Sequence, residues 1–220
     1  NPTTGANVPG WALTLENGVG AGEVRVQGAV TRGSNTYIVG AFTHGTGATG
    51  GRQYSRGLMR IASNGTPDRD WLAEVKGTVR SVDVSEDGAT AYVAGNFDAY
   101  RTTTTSSATA ISTAAGANLA NPDWLPTWSN GPSYQQAVKQ VGDRFWVGGS
   151  EHLNFSYDTH TYERLSTNIT KSRGGDFQGY GATATELFAG SHANEFNYSG
   201  ATNWPNVGTG WTAVDSIGWM

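Results

Sequence analysis

An all-β fold is predicted by three features of the chain. Short runs of alternating apolar and polar residues recur along it, turn residues separate them at close intervals, and the pattern returns at a spacing of roughly 40 to 55 residues. Alternating runs joined by tight turns make hairpins, and hairpins repeated at that period make four-stranded units. The fold class expected is therefore a β-propeller built of four-stranded antiparallel blades, with about four repeats visible, as a small or an incomplete ring.

The elements follow in chain order. Val24 to Val30, the turn Arg32-Gly33-Ser34-Asn35 and Tyr37-Ile38-Val39-Gly40-Ala41-Phe42 form the first hairpin. Val79-Arg80-Ser81-Val82-Asp83-Val84, the turn Ser85-Glu86-Asp87-Gly88 and Tyr92-Val93-Ala94-Gly95-Asn96-Phe97 form the second. Gln135 to Val141, Gly142-Asp143 and Phe145-Trp146-Val147-Gly148 form the third, and Leu187-Phe188-Ala189-Gly190 is the matching strand of a fourth. By this alignment Gly40, Gly95, Gly148 and Gly190 are equivalent, and they mark places where backbone bends or approaches its neighbour.

A third strand, Gly57 to Ala62, closes at Ser63-Asn64-Gly65, and a fourth runs past a proline and a tryptophan: Pro67 with Trp71, Pro122 with Trp124, and Pro9 with Trp11 near the start. Residues 1–220 are thus expected to be a single domain or a fragment of one. Residues 1–23 are expected to be a closing strand or the end of a preceding blade, and the repeats 24–77, 78–131, 132–172 and 173–220. A chain that starts at Asn1 is expected to be a processed or trimmed product.

Composition agrees with this class and excludes others. Only 15% of residues are charged against 37% hydrophobic, and 31 glycines accompany abundant Thr, Ser and Asn, which suits short strands and tight turns better than helices. Eight Trp, nine Tyr and seven Phe supply apolar surface for a core. The formal charge of −4 and the lack of any Lys/Arg run argue against a nucleic-acid partner. There is no cysteine, hence no disulfide or thiolate chemistry, and no apolar run has the length of a membrane span. Eleven Arg against three Lys, with a polar surface of Thr, Ser, Asn and Gly, point to an extracellular or cell-surface, bacterial-type protein.

The succession Val-x-x-Val-x-Val, Asp-Gly turn, Tyr-Val-x-Gly-x-Phe, then Asn-Gly-Thr-Pro-Asp and an aromatic resembles the delta-sixty type of β-propeller repeat over residues 24 to 131. Residues 132 to 220 depart from it at Gly148-Gly149-Ser150-Glu151-His152 and Gly174-Gly175-Asp176-Phe177-Gln178. They resemble instead the propeller region of large exported actinobacterial proteins that carry laminin-G-like or other glycan-binding modules. The resemblance implies a propeller scaffold in a secreted setting and assigns no reaction.

Candidate site residues come from the divergent half. Glu151-His152 and Ser191-His192 follow the third and fourth strand glycines, so they are expected on one loop face, with Asp176 close by. Glu151, His152, Asp176 and His192 are the expected ligand-binding residues. Two long segments of the same face, Thr43 to Arg56 and Asp98 to Ser107, are expected as loops, with Tyr54, Tyr100, Phe155, Trp204 and Trp211 as exposed aromatics for stacking on sugars. His44 and His160 are expected to be solvated. The acceptor patterns at Asn64, Asn154, Asn168 and Asn197 are expected to mark surface turns. Asp83-x-Ser85-x-Asp87-Gly88 has Val93 where a calcium loop needs Glu, and no other metal, cofactor or nucleophile signature is present.

The function expected is a non-catalytic, secreted or cell-surface binding module for a glycan or other surface polymer. A hydrolase or lyase using the His and carboxylate groups is one alternative. A structural module that pairs with other protein chains through terminal sheet edges is the other.

Overall fold

Residues that alternate along an extended strand point to opposite faces, so a strand apolar at both parities must be covered on both sides. The run Ala91-Tyr92-Val93-Ala94 is of this kind: all four are at 2% exposure or less, with Ala91 and Val93 in one core and Tyr92 and Ala94 in another. Such strands demand stacked sheets, and stacked sheets are what forms. A computed structural model describes residues 3–18, 22–128, 133–151, 153–171, 176–191, 195–198 and 212–215. The fold is all-β, and among the described residues there is no helix. None is therefore long and apolar enough to cross a membrane.

The strands are β1 (Leu13–Glu16), β2 (Arg25–Arg32), β3 (Asn35–Ala41), β4 (His44–Gly47), β5 (Arg52–Tyr54), β6 (Leu58–Ala62) and β7 (Pro67–Leu72). They continue with β8 (Val75–Val84), β9 (Thr90–Tyr100), β10 (Thr103–Thr104), β11 (Ala108–Ser112), β12 (Gln135–Val141) and β13 (Arg144–Gly149). The last are β14 (Leu153–Asp158), β15 (Arg164–Lys171), β16 (Phe177–Ala182), β17 (Leu187–Ser191), β18 (Glu195–Tyr198) and β19 (Thr212–Asp215).

All named pairings are antiparallel. The first sheet is the meander β2-β3-β6-β7; the second is β8-β9-β11, with β10 added at the far end of β9. The third, β12-β13-β14-β15, continues through β18 and β19; β16 and β17 form a hairpin of their own, and β1-β4-β5 is a small separate sheet. The sheets pack in sequence order: β2 and β3 lie against β8, β12 against β8 and β9, and β16 against β12 and β13.

Tyr37, Val39, Trp71, Val79, Val93 and Tyr100 fill the core between the first two sheets. Between the second and third, Tyr92 stacks on Phe145 with ring centroids 4.3 Å apart, and Trp124 meets Phe145 and Tyr157 edge-on at 5.2 Å. The outer side of the first sheet is closed by Leu13 and Leu15 of β1 over Ile38, Met59 and Ile61. Polar bonds register each seam. Arg32 Nη2 donates to Val84 O at 2.8 Å and Trp71 Nε1 to Ser112 O at 2.8 Å. The buried Asp83 carboxylate accepts both Lys139 Nζ, at 2.9 Å, and the Gln140 backbone N–H, at 2.8 Å.

Several local expectations are corrected. Residues 43 to 56 are no open loop but the hairpin β4-β5, paired in turn with β1. Residues 98 to 107 extend β9 and return as β10, around a turn with Arg101 at φ 52°. Asn154 lies in β14 and is fully buried, and Asn168 and Asn197 lie in β15 and β18, so only Asn64 of the four occupies a turn. His44 is half-buried: Thr43 Oγ1 lies 2.9 Å from its Nδ1, Tyr54 meets it edge-on, and burial lowers its pKa. His160 is solvated, its side chain 86% exposed.

Candidate ligand-binding face

The strand that begins each sheet carries an irregularity at the corresponding step. In the first sheet Val26 pairs with Gly40 and Gly28 with Val39, which leaves Gln27 without a place in the ladder. In the second, Val79 pairs with Gly95 and Ser81 with Ala94, leaving Arg80. Gln135–Gly149 and Ala137–Gly148 leave Gln136 in the third, and Phe177–Ser191 and Gly179–Gly190 leave Gln178 in the β16-β17 hairpin. An extra residue of this kind is a β-bulge: it bends the strand and re-aims a side chain out of the regular pleat.

The recurring glycines are the other half of the device. A Cβ on Gly40 would collide with Arg25 O and stand 3.1 Å from Val26 Cα. On Gly95 it would collide with Thr78 O and stand 2.9 Å from Val79 Cα, and on Gly149 with Tyr134 O and 2.6 Å from Gln135 Cα. The backbone of the bulged strand occupies the volume a side chain would need. The register also corrects the alignment read from sequence: Gly149 and Ser191, not Gly148 and Gly190, correspond to Gly40 and Gly95. In the third sheet Trp146 accordingly stands where Tyr37 and Tyr92 stand in the first two. Matching the strand by its first glycine shifted it by one residue.

All four bulged residues, Gln27, Arg80, Gln136 and Gln178, carry long side chains that donate hydrogen bonds, and each is followed by a small residue: Gly28, Ser81, Ala137 and Gly179. Two of them face one cavity of ≈ 480 Å³ between β2 and β8, lined by Glu23, Arg25, Gln27, Ala41, Thr78 and Arg80. The Arg80 guanidinium lies 4.9 Å from the centre of the Tyr134 ring, a cation–π distance. Tyr134 donates its phenolic proton to Asp176 Oδ2 at 2.8 Å, and Gln136 Nε2 donates to the same oxygen at 2.9 Å. That bond to Asp176, with partial burial, holds the Tyr134 pKa above its ordinary 10.0. Polar groups therefore run without a break from the cavity over β8 and β12 to the start of β16.

Of the expected site residues, Glu151 and Asp176 are described, and His152 and His192 lie outside the described residues. Glu151 is 3% exposed, its Oε1 accepting from Ser133 Oγ at 2.6 Å and Gln135 Nε2 at 2.8 Å. Asp176 is held by Tyr134 and Gln136. The two carboxylates are thus bound by alternate residues of one extended segment, 133 and 135 against 134 and 136. Alternation directs such residues to opposite faces. Glu151 serves the interior of the third sheet; Asp176 belongs to the polar face. Among the expected sugar-stacking aromatics, Tyr100 and Phe155 are buried and Tyr54 is half-buried against His44, while Trp204 and Trp211 lie outside the described residues.

Sequence reasoning missed Gln27, Arg80, Gln136, Gln178 and Tyr134. The signal was present as a long polar residue followed by a small one, near the start of each hairpin. Among the described residues no three His, Asp or Glu side chains gather as metal ligands. No family model and no curated protein matches the chain.

Proposed function

We propose that the chain is a β-propeller-type binding module of a secreted or cell-surface protein, and that it holds a glycan or other polyhydroxylated polymer on the face built from its bulged first strands. The observation that carries this reading is the repeated bulge. Four successive units each offer one long hydrogen-bonding side chain at the same step of the ladder, and two of these line a cavity. Carboxamides and guanidinium groups arranged along a groove suit hydroxyl-rich ligands, because they donate several directed hydrogen bonds without large apolar contact. The propeller architecture is supported by the in-order, face-to-face packing of β2, β8, β12 and β16.

Binding suits this face better than bond-making. Tyr134 keeps its proton at neutral pH, as an ordinary phenol does, and its bond to Asp176 raises its pKa further, so it serves as neither base nor nucleophile there. Glu151 is committed to Ser133 and Gln135 rather than presented to a ligand. The test is a panel of neutral and acidic polysaccharides titrated calorimetrically into the purified chain, with product analysis after long incubation. Saturable binding of at least one polymer without cleavage is expected. Absence of binding across the panel, or release of shortened products, would overturn the proposal.

A further inference from the structure

Arg80 is the one cation among the four bulged residues, and its surroundings are unusual for an arginine. Among the described residues its buried Nε has no hydrogen-bond partner and its guanidinium forms no ion pair. A guanidinium N–H withdrawn from water without an acceptor is costly, and an anionic ligand at the rest of the guanidinium group would offset part of that cost. The guanidinium lies over the Tyr134 ring, and the lining of the same cavity also includes Arg25. Among the described residues Arg25 is paired only with Glu23, at 2.8 Å, with both side chains largely in water, an ion pair that is readily exchanged. Gln27 and Thr78 complete the lining with neutral donors and acceptors.

We infer that this cavity takes an oxyanion carried by a saccharide, a carboxylate or a sulfate, between Arg80 and Arg25, with Gln27 and Thr78 bonding neighbouring hydroxyls. The inference rests on the proposed binding function and names its ligand class. Guanidinium forks match two-oxygen faces of carboxylate and sulfate, and charge-assisted bonds of this type are shorter and stronger than neutral ones. Two arginines with one exposed carboxylate leave the cavity short of negative charge, which an acidic sugar supplies. A neutral sugar would offer the two guanidinium groups only uncharged hydroxyl acceptors.

The experiment compares oligosaccharides of equal length that are neutral, uronate-bearing or sulfated, with inorganic sulfate alone as a fourth ligand. Each is titrated against the full chain and against Arg80→Gln, Arg80→Lys and Arg25→Gln, with thermal melting to establish that each variant is folded. Acidic oligosaccharides are expected to bind at least about tenfold more tightly than neutral ones. Arg80→Gln should remove that preference, Arg80→Lys should restore part of it, and Arg25→Gln should reduce it about two- to threefold. A preference for uronate over sulfate, or the reverse, identifies which oxyanion is native, and either supports the inference. Equal binding of neutral and acidic oligosaccharides, unchanged by Arg80→Gln, overturns it while leaving the binding function standing. Binding of inorganic sulfate with no acidic preference among saccharides means an adventitious ion only and also overturns it. No binding of any saccharide removes both. If Arg80→Gln fails to fold, the Arg25→Gln result and the loss of the acidic preference at high salt decide in its place.

Discussion

Asp83 of β8 and Lys139 of β12 meet across the seam of two sheets, with Lys139 Nζ 2.9 Å from Asp83 Oδ1 and the carboxylate side chain 3% exposed. The second oxygen of the same carboxylate accepts the Gln140 backbone N–H, so one side chain fixes both a charge and a strand position. Removing the acid strands a partly buried ammonium and an amide. Asp83→Ala is expected to cost about 3 kcal/mol or more in urea denaturation. Lys139→Met leaves the 3% exposed Asp83 carboxylate without its counter-charge, so although it keeps the apolar stem it should cost at least as much.

The glycines opposite the bulges of the first three sheets, Gly40, Gly95 and Gly149, should tolerate nothing larger. Gly95→Ala places a methyl into Thr78 O and Val79 Cα, and a loss of about 1–3 kcal/mol is expected from overpacking. Gly190→Ala meets only Gly179 O at 3.5 Å, ordinary contact, and should stay within about 0.5 kcal/mol of the parent. Chemical denaturation of the two variants side by side measures the contrast.

Two buried phenols predict opposite effects of the same substitution. Among the described residues the buried Tyr157 hydroxyl has no hydrogen-bond partner, whereas Tyr100 donates to the Ala117 carbonyl. Tyr157→Phe is expected to be neutral or stabilising by up to about 1 kcal/mol, and Tyr100→Phe to destabilise by about 1 kcal/mol. Melting temperatures of the pair should move in opposite directions or differ by several degrees.

Alkaline pH should unfold the protein through these same groups. Burial pushes the Tyr100 pKa up to about 12 and raises those of Tyr92 and Tyr157 as well. The folded state therefore holds phenolic protons that the unfolded chain has released. The stabilisation is fully present below pH 10 and is lost as pH rises from 10 toward 12, by about 1.4 kcal/mol per pH unit for each phenol. Absorbance titration near 295 nm should show a lagging group of tyrosines that ionise with unfolding.

The all-β class and the main hairpin strands, though not β4, β5 and β10, were legible because alternation is a local property: Tyr37 and Val39 share one parity, and Tyr92 and Val93 take opposite ones. The polar face was not, because a bulge changes register by one residue and leaves no mark in an apolar count. Gln27 and Gln136 fall inside the expected strands with nothing in the apolar pattern to set them apart. The doubled glycine at Gly148-Gly149 concealed the correct match to Gly40, which only pairing with Gln135 reveals. Tyr100 and Phe155 read as exposed because they end or follow expected loops, yet β9 and β14 carry them into the seams. Glu151 and Asp176 were found as polar residues near a strand end; that the strand between them separates their roles depends on alternation at residues 133 to 136.

The central claim is that ligand binds on the bulged face and not on the hairpin ends beyond β3 and β9. Backbone amide chemical-shift mapping tests it most directly, with an acidic oligosaccharide titrated into isotopically labelled protein. Perturbations are predicted to cluster at Arg25, Gln27, Thr78, Arg80 and Gln136. Perturbations confined to β4, β5 and β10, with these five unmoved at saturation, would contradict the account.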